Sequence, residues 1–164
     1  MSLVHPDRRA TVLILGAIVG AGLLTGSGIA PSVAARTGAG AAYFAGVLAM
    51  AATFGVESLL ALVVVRVDRR IRRASAGGAS PVELRAVLAM LALATLGAAA
   101  AIRGIAWLGM GSFVGWSRFL PAVTFAIAMS LSLAVPASER PAWLRVIVSL
   151  FVVQLALTAA VRFL

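Results

Sequence analysis

Glu57 is the residue of this chain best placed to do chemistry. It is the single charged side chain in residues 40–65, a stretch that is otherwise apolar or small. A charge near the centre of a bilayer costs roughly 2.5–3.5 kcal/mol on insertion scales, so such a group faces a bundle interior, a partner or water. Helix rise places Glu57 roughly 6 Å from the midpoint of the stretch. Gly46, Met50, Thr53 and Glu57 share one helical face, small and partly polar. The chemistry open to this carboxyl group is to hold a proton or a cation, or to hydrogen-bond another helix. No basic residue falls at the same depth on another apolar stretch, so an intrachain ion pair is not expected. Gln154, Thr158 and Arg162 follow at four-residue spacing and form a second polar ridge. That ridge can line a wet path with Glu57 or hydrogen-bond a neighbouring helix. Thr53, Glu57, Gln154 and Thr158 are therefore the candidate ion, proton or interhelical polar site.

The elements that must position these residues are long apolar runs at 10–30, 40–65, 86–102, 119–135 and 142–161. The first two hold 21 and 26 residues, enough to cross about 30 Å of hydrocarbon at ~1.5 Å per residue. The next two hold 17 each, near the lower limit, and the fifth reaches 20 by including Arg145. Hydrophobic residues make up 62% of the chain and charged residues 12%, about half the charged share of a soluble domain. A chain of 164 residues cannot hide so much apolar surface in its own core. The expected fold is all-α, a polytopic transmembrane bundle of about five spans, forming a single integral membrane domain over 1–164. Arg8-Arg9, the first apolar run and Ser32-Val33-Ala34 have the layout of a signal peptide. The run is long enough to span and is read as the first transmembrane helix.

Orientation follows from arginine bias. With the N-terminus in the cytoplasm, that side collects Arg8, Arg9, Arg66, Arg69, Arg70, Arg72, Arg73, Arg85, Arg140 and Arg145. The other side holds Arg36, Arg103, Arg118 and Arg162, and five spans place the C-terminus outside. A bacterial cytoplasmic (inner) membrane is the expected location. The net charge of +9 resides in arginines flanking the spans, which fits anionic headgroups rather than nucleic acid. Arg66, Arg69, Arg70, Arg72 and Arg73 form a basic collar on a helix expected to continue past the membrane, with Asp68 and Arg72 four apart on one face. Gly77-Gly78 supplies a helix stop, and Ser80-Pro81-Val82-Glu83 has the pattern of a capping box opening the third span. Arg103, Arg118 and Arg162, near Trp107 and Trp116, are candidate contacts for a headgroup or anion at the opposite surface. Residues 103–112 carry too many glycines to predict a helix.

In the first span, Gly16-xxx-Gly20 and Gly22-xxx-Gly26 are small-xxx-small pairs that let another helix backbone approach. Several function classes are excluded. Cysteine and lysine are absent and His5 is the single histidine, so thiol chemistry, iron–sulfur ligation, a Schiff base, a bis-histidine haem and a histidine-based dyad are all ruled out. Of five acidic residues only Glu57 lies within a span, so no paired-carboxylate or di-metal site can form there. No metal or cofactor is expected. The sequence points to a non-catalytic integral subunit of a membrane assembly, transport-related, packing through the glycine face against copies of itself or other membrane subunits. The alternative is a self-assembling small transporter or channel for an ion or small solute, with Glu57 on the path.

Overall fold

The fold is built from long helices because backbone N–H and C=O groups have no other partner in hydrocarbon. A computed structural model describes residues 6–74 and 82–163. Its helices are α1 (Pro6–Thr37), α2 (Ala39–Ala74), α3 (Leu84–Trp107), the single turn α4 (Phe113–Trp116), α5 (Leu120–Ser132) and α6 (Arg140–Phe163). A 3-10 turn, Ser117–Phe119, joins α4 to α5. Five segments are long and apolar enough to cross a membrane, α4 and α5 together making the fourth. The chain is a multi-pass membrane protein, with no strand among the described residues. Hydroxyl groups inside the spans are satisfied locally. Thr25, Thr53, Ser58, Thr95, Ser130 and Thr158 each donate to the carbonyl four residues earlier, at 2.7 to 2.9 Å.

Helices α1 and α2 form an antiparallel hairpin closed by one residue, Gly38, whose φ of +91° suits glycine. Three glycines set the approach of the two helices. A Cβ on Gly22 would strike the Val47 backbone, and one on Gly26 would lie 2.8 Å from the Tyr43 α-carbon. A Cβ on Gly46 would lie 2.6 Å from the Gly26 nitrogen. The Gly22-xxx-Gly26 pair therefore works within the chain, against α2, and is not free to receive another copy. The Gly16-xxx-Gly20 pair does not act as a unit. A Cβ on Gly20 would lie 3.0 Å from Leu96 Cδ1 of α3, while one on Gly16 would meet nothing within 4 Å.

The core runs from α1 and α2 through α3 to α5 and the first half of α6. Ala17, Phe54, Ala61, Val87, Leu91, Phe125, Val146 and Ile147 form its main cluster. Ala21, Met50, Ala98, Ile102, Phe113 and Leu120 form a second, toward the 108–112 turn. Phe113 anchors α4 by lying over Gly28, where a Cβ would collide with the ring.

The elements differ from the sequence expectations at several joints. Helix α3 passes through Gly104 and ends only at Trp107, because the packing of Ile102 outweighs a glycine propensity cost of about 1 kcal/mol. Residues 105–116 are thus split. The first three extend α3, a turn with positive φ at Gly109 and Gly111 follows, and Ser112 caps α4 by accepting from the Gly115 N–H at 3.2 Å. Helix α3 opens at Leu84 and not at Pro81. Glu83 is itself the extended residue before α3, with no side-chain capping bond, while Gly77, Gly78, Ser80 and Pro81 lie outside the described residues. The turn between α5 and α6 is held by Arg140, whose Nη2 donates to the carbonyls of Leu133 (2.9 Å) and Val135 (3.3 Å).

The glycine contacts make a paired prediction. Gly46→Leu should lower the midpoint of thermal unfolding in detergent sharply, since backbone atoms of α1 occupy the space. The cost should be at least 1–3 kcal/mol, the usual range for overpacking. Gly16→Ala should stay within about 0.5 kcal/mol of the parent, as for an open surface site. Equal loss in both variants would overturn the assignment of the hairpin contact.

Candidate functional site

The sequence-predicted polar residues converge on one cavity between α2 and α6. These helices run antiparallel, so Thr53 and Glu57 on α2 come opposite Thr158 and Gln154 on α6. The cavity measures about 490 Å³ and is lined by Thr53, Val56, Glu57, Leu60, Gln154, Leu157 and Thr158. Glu57 lies on the buried stripe of α2 that runs Ala42, Gly46, Met50, Phe54, Glu57, Ala61, Val65 and Asp68. Its residue exposure is 5%. Glu57 Oε2 and Gln154 Oε1 are both shielded, and neither has a hydrogen-bond partner among the described residues. Such orphaned acceptors are rare inside proteins, and each calls for an explanation.

The hydroxyl groups at the site are already committed. Thr53 Oγ1 donates to the Ala49 carbonyl at 2.9 Å and Thr158 Oγ1 to the Gln154 carbonyl at 2.8 Å. Each hydroxyl proton is used within its own helix, leaving oxygen lone pairs as what these residues offer. With Glu57 ionised, the Gln154 amide N–H₂ is the single donor the lining side chains retain. The remaining lining, Val56, Leu60 and Leu157, is aliphatic.

The opening of this cavity comes from the way α6 is seated. Ala142, Trp143, Val146, Ile147 and Leu150 bury the first half of α6, whereas residues 151–160 are exposed apart from half-buried Gln154. The helix is held at its Arg140 end and stands free of the core at the other.

An ionic contact fixes the held end. Asp68 of α2 binds two guanidinium groups, Arg72 Nε at 2.7 Å on Oδ2 and Arg145 Nε at 2.9 Å on Oδ1. The Arg72 pair lies within α2, as its four-residue spacing predicts. The Arg145 pair joins α2 to α6 and was not foreseen, because nothing in a linear pattern aligns residues 68 and 145. The available signal was complementary: Asp68 is the one acid in the 66–73 run, and Arg145 the one charge inside the fifth apolar stretch. The Asp68 contact lies eleven residues from Glu57 along α2, about 16 Å by helix rise.

Arg72 is thus an ion-pairing residue with side-chain exposure of 12%. The other collar residues, Arg66, Arg69, Arg70 and Arg73, are exposed. At the opposite end of the bundle, Arg118 stacks over the Phe119 ring at 4.9 Å and Arg103 is half-buried on α3. Trp116 Nε1 donates to the Met110 carbonyl at 2.9 Å, so this tryptophan braces the 108–112 turn, while Trp107 is exposed. The Arg162 side chain lies outside the described residues. Among the described residues no cluster of three metal-ligating side chains occurs.

No protein-family model, curated protein or solved structure matches this chain significantly. The chemistry of the α2–α6 cavity therefore carries the functional argument.

The interhelical ion pair is open to a double-mutant cycle. Asp68→Ala and Arg145→Ala should couple by about 1–2 kcal/mol in unfolding, above the 0.2–1 kcal/mol of exposed pairs, because Asp68 is buried. Additive single effects would show that α2 and α6 are held by apolar packing alone.

Proposed function

We propose that this protein is a non-catalytic transport component of the bacterial inner membrane. It works as a homo-oligomer or with other membrane subunits, and the α2–α6 cavity is where an ion or small solute binds. One observation carries the reading: two buried acceptors on facing helices, Glu57 Oε2 and Gln154 Oε1, share a cavity and have no hydrogen-bond partner among the described residues. A buried ionisable group inside a membrane helix marks a functional site by default, because its cost is otherwise uncompensated. The single carboxyl group, without a second acid, base or metal ligand beside it, speaks against catalysis. Arginine bias supports a cytoplasmic N-terminus and an external C-terminus.

The exposed second half of α6 favours assembly as part of this reading. Five spans enclose little lumen by themselves, and residues 151–160 leave one side of the cavity unwalled. A second copy or another subunit there would complete it. In the companion reading, the chain is an accessory subunit and the neighbouring helix itself satisfies Glu57.

Flux through reconstituted vesicles separates the two. Glu57→Gln should abolish proton- or cation-coupled transport, at least tenfold in rate, while the assembly seen by native mass spectrometry stays intact. If Glu57 serves only to hold a neighbouring helix, Glu57→Gln should be tolerated and Glu57→Leu should dissociate the assembly.

A further inference from the structure

We infer that the α2–α6 cavity binds an organic ammonium, an apolar body carrying a protonated primary or secondary amine, with its N–H groups directed at Glu57 and Gln154. The inference deepens the transport reading by naming the solute class of the same cavity.

Three observations select this class. First, the polar inventory of the lining is almost wholly accepting. Glu57 Oε2 and Gln154 Oε1 are unpartnered, and the Thr53 and Thr158 hydroxyl protons are spent on carbonyls of their own helices. A ligand that fits must bring donors, and an ammonium brings two or three with a positive charge. Secondly, no arginine is among the described residues that line the cavity, and the chain has no lysine. An anionic or purely accepting ligand would leave the Glu57 carboxyl uncompensated, whereas an ammonium supplies the opposite charge that a carboxylate in hydrocarbon requires. Thirdly, size and lining exclude a bare metal ion. Hard cations take about six to eight oxygens at close range, but Val56, Leu60 and Leu157 make three of the seven lining residues aliphatic. A cavity of about 490 Å³ lies within the range of roughly 300–1,000 Å³ that suits small organic ligands.

The geometry also gives a route of entry. Val56 and Leu157 line the cavity and are exposed on the outside of the bundle. An amphiphilic amine already partitioned into the bilayer can therefore approach sideways, its apolar body leaving lipid for Leu60 and Leu157 as its nitrogen reaches Glu57.

The test uses the full chain in lipid nanodiscs and two fluorescent probes that share a fluorophore. Dansylcadaverine carries a primary ammonium, and dansylglycine carries a carboxylate in its place. Saturable binding of dansylcadaverine above that of empty nanodiscs is expected, with no saturable binding of dansylglycine. Glu57→Gln should weaken binding roughly tenfold or more, since hydrogen bonds to charged groups are the strong ones. Leu157→Trp, which keeps every acceptor and fills the space, should block binding while leaving the elution profile and helicity unchanged. Equal binding of the two probes, equal affinity in the Glu57→Gln variant, or no signal above empty nanodiscs would each overturn the inference. So would a co-purified chain that cross-links to Leu157→Cys and shuts out the probe, since the occupant would then be a helix. Glu57-dependent flux of sodium or protons without amine binding would overturn the inference and leave the transport reading standing. Amine binding without flux would do the reverse.

Discussion

The backbone approach of α1 and α2 is the contact on which the rest of this structure depends. In hydrocarbon, apolar side chains gain nothing from meeting each other rather than lipid, so helix association needs close dispersion contacts or polar bonds. Gly22, Gly26 and Gly46 provide the first because, lacking side chains, they let the two backbones approach. The hairpin so formed offers a broad face, on which α3 lies along Ala17 and Ala21 of α1. The small residues of α3, among them Ala92, Ala94, Ala98 and Ala99, all buried, let it pack on both sides. Helix α5 is thereby held through α3 and not by the hairpin.

Helix α6 is attached by a different kind of contact. Only its first half packs on the core, and its polar links are the Asp68–Arg145 pair and the carbonyls taken by Arg140. Arg145 is half-exposed, at 54% of its side chain, which spares it most of the desolvation that a buried pair suffers. One oxygen of Asp68 serves each helix, so both carboxylate oxygens accept an ionic hydrogen bond. The same seam that is ionic and closed at Asp68 is open about 16 Å away at Glu57. Helix α6 is thus pinned at one end and free at the other, and its seam with α2 is separate from the glycine hairpin.

Much of this was legible in the sequence, for reasons that differ by element. The five spans were legible because length and apolarity are properties of composition, which a bilayer reads directly. The continuation of α2 through Arg66–Arg73 was legible because nothing in that run breaks a helix. Thr53, Glu57, Gln154 and Thr158 were each visible as polar exceptions in apolar runs, and their meeting in one cavity follows from antiparallel pairing of α2 and α6. What linear pattern does not encode is which face meets which helix. Gly22 and Gly26 read equally well as an external contact, and only the position of Gly46 opposite them shows the face to be internal. The 103–112 segment was misread for a related reason. Its glycines predict a break, but burial of Ile102 and Phe113 on either side decides where the break falls.

The asymmetry of the cavity's hydrogen-bonding groups follows from the physics of the membrane helix itself. A threonine in hydrocarbon cannot leave its hydroxyl proton unused, and the carbonyl four residues earlier is always within reach. Threonines on a membrane helix therefore present oxygen outward and hide their donor. Glutamate has no donor when ionised, and neither Val56, Leu60 nor Leu157 contributes one. A cavity walled by such residues becomes accepting by default, unless an arginine, a lysine or a tryptophan turns toward it. Among the described residues, Arg72 and Arg145 are spent on Asp68, and Arg140 on the carbonyls of Leu133 and Val135 in the turn after α5. Trp116 is bound to the Met110 carbonyl at the far turn. These donors thus hold the ends of the bundle together, and the described lining of its mid-membrane cavity is left mainly with acceptors.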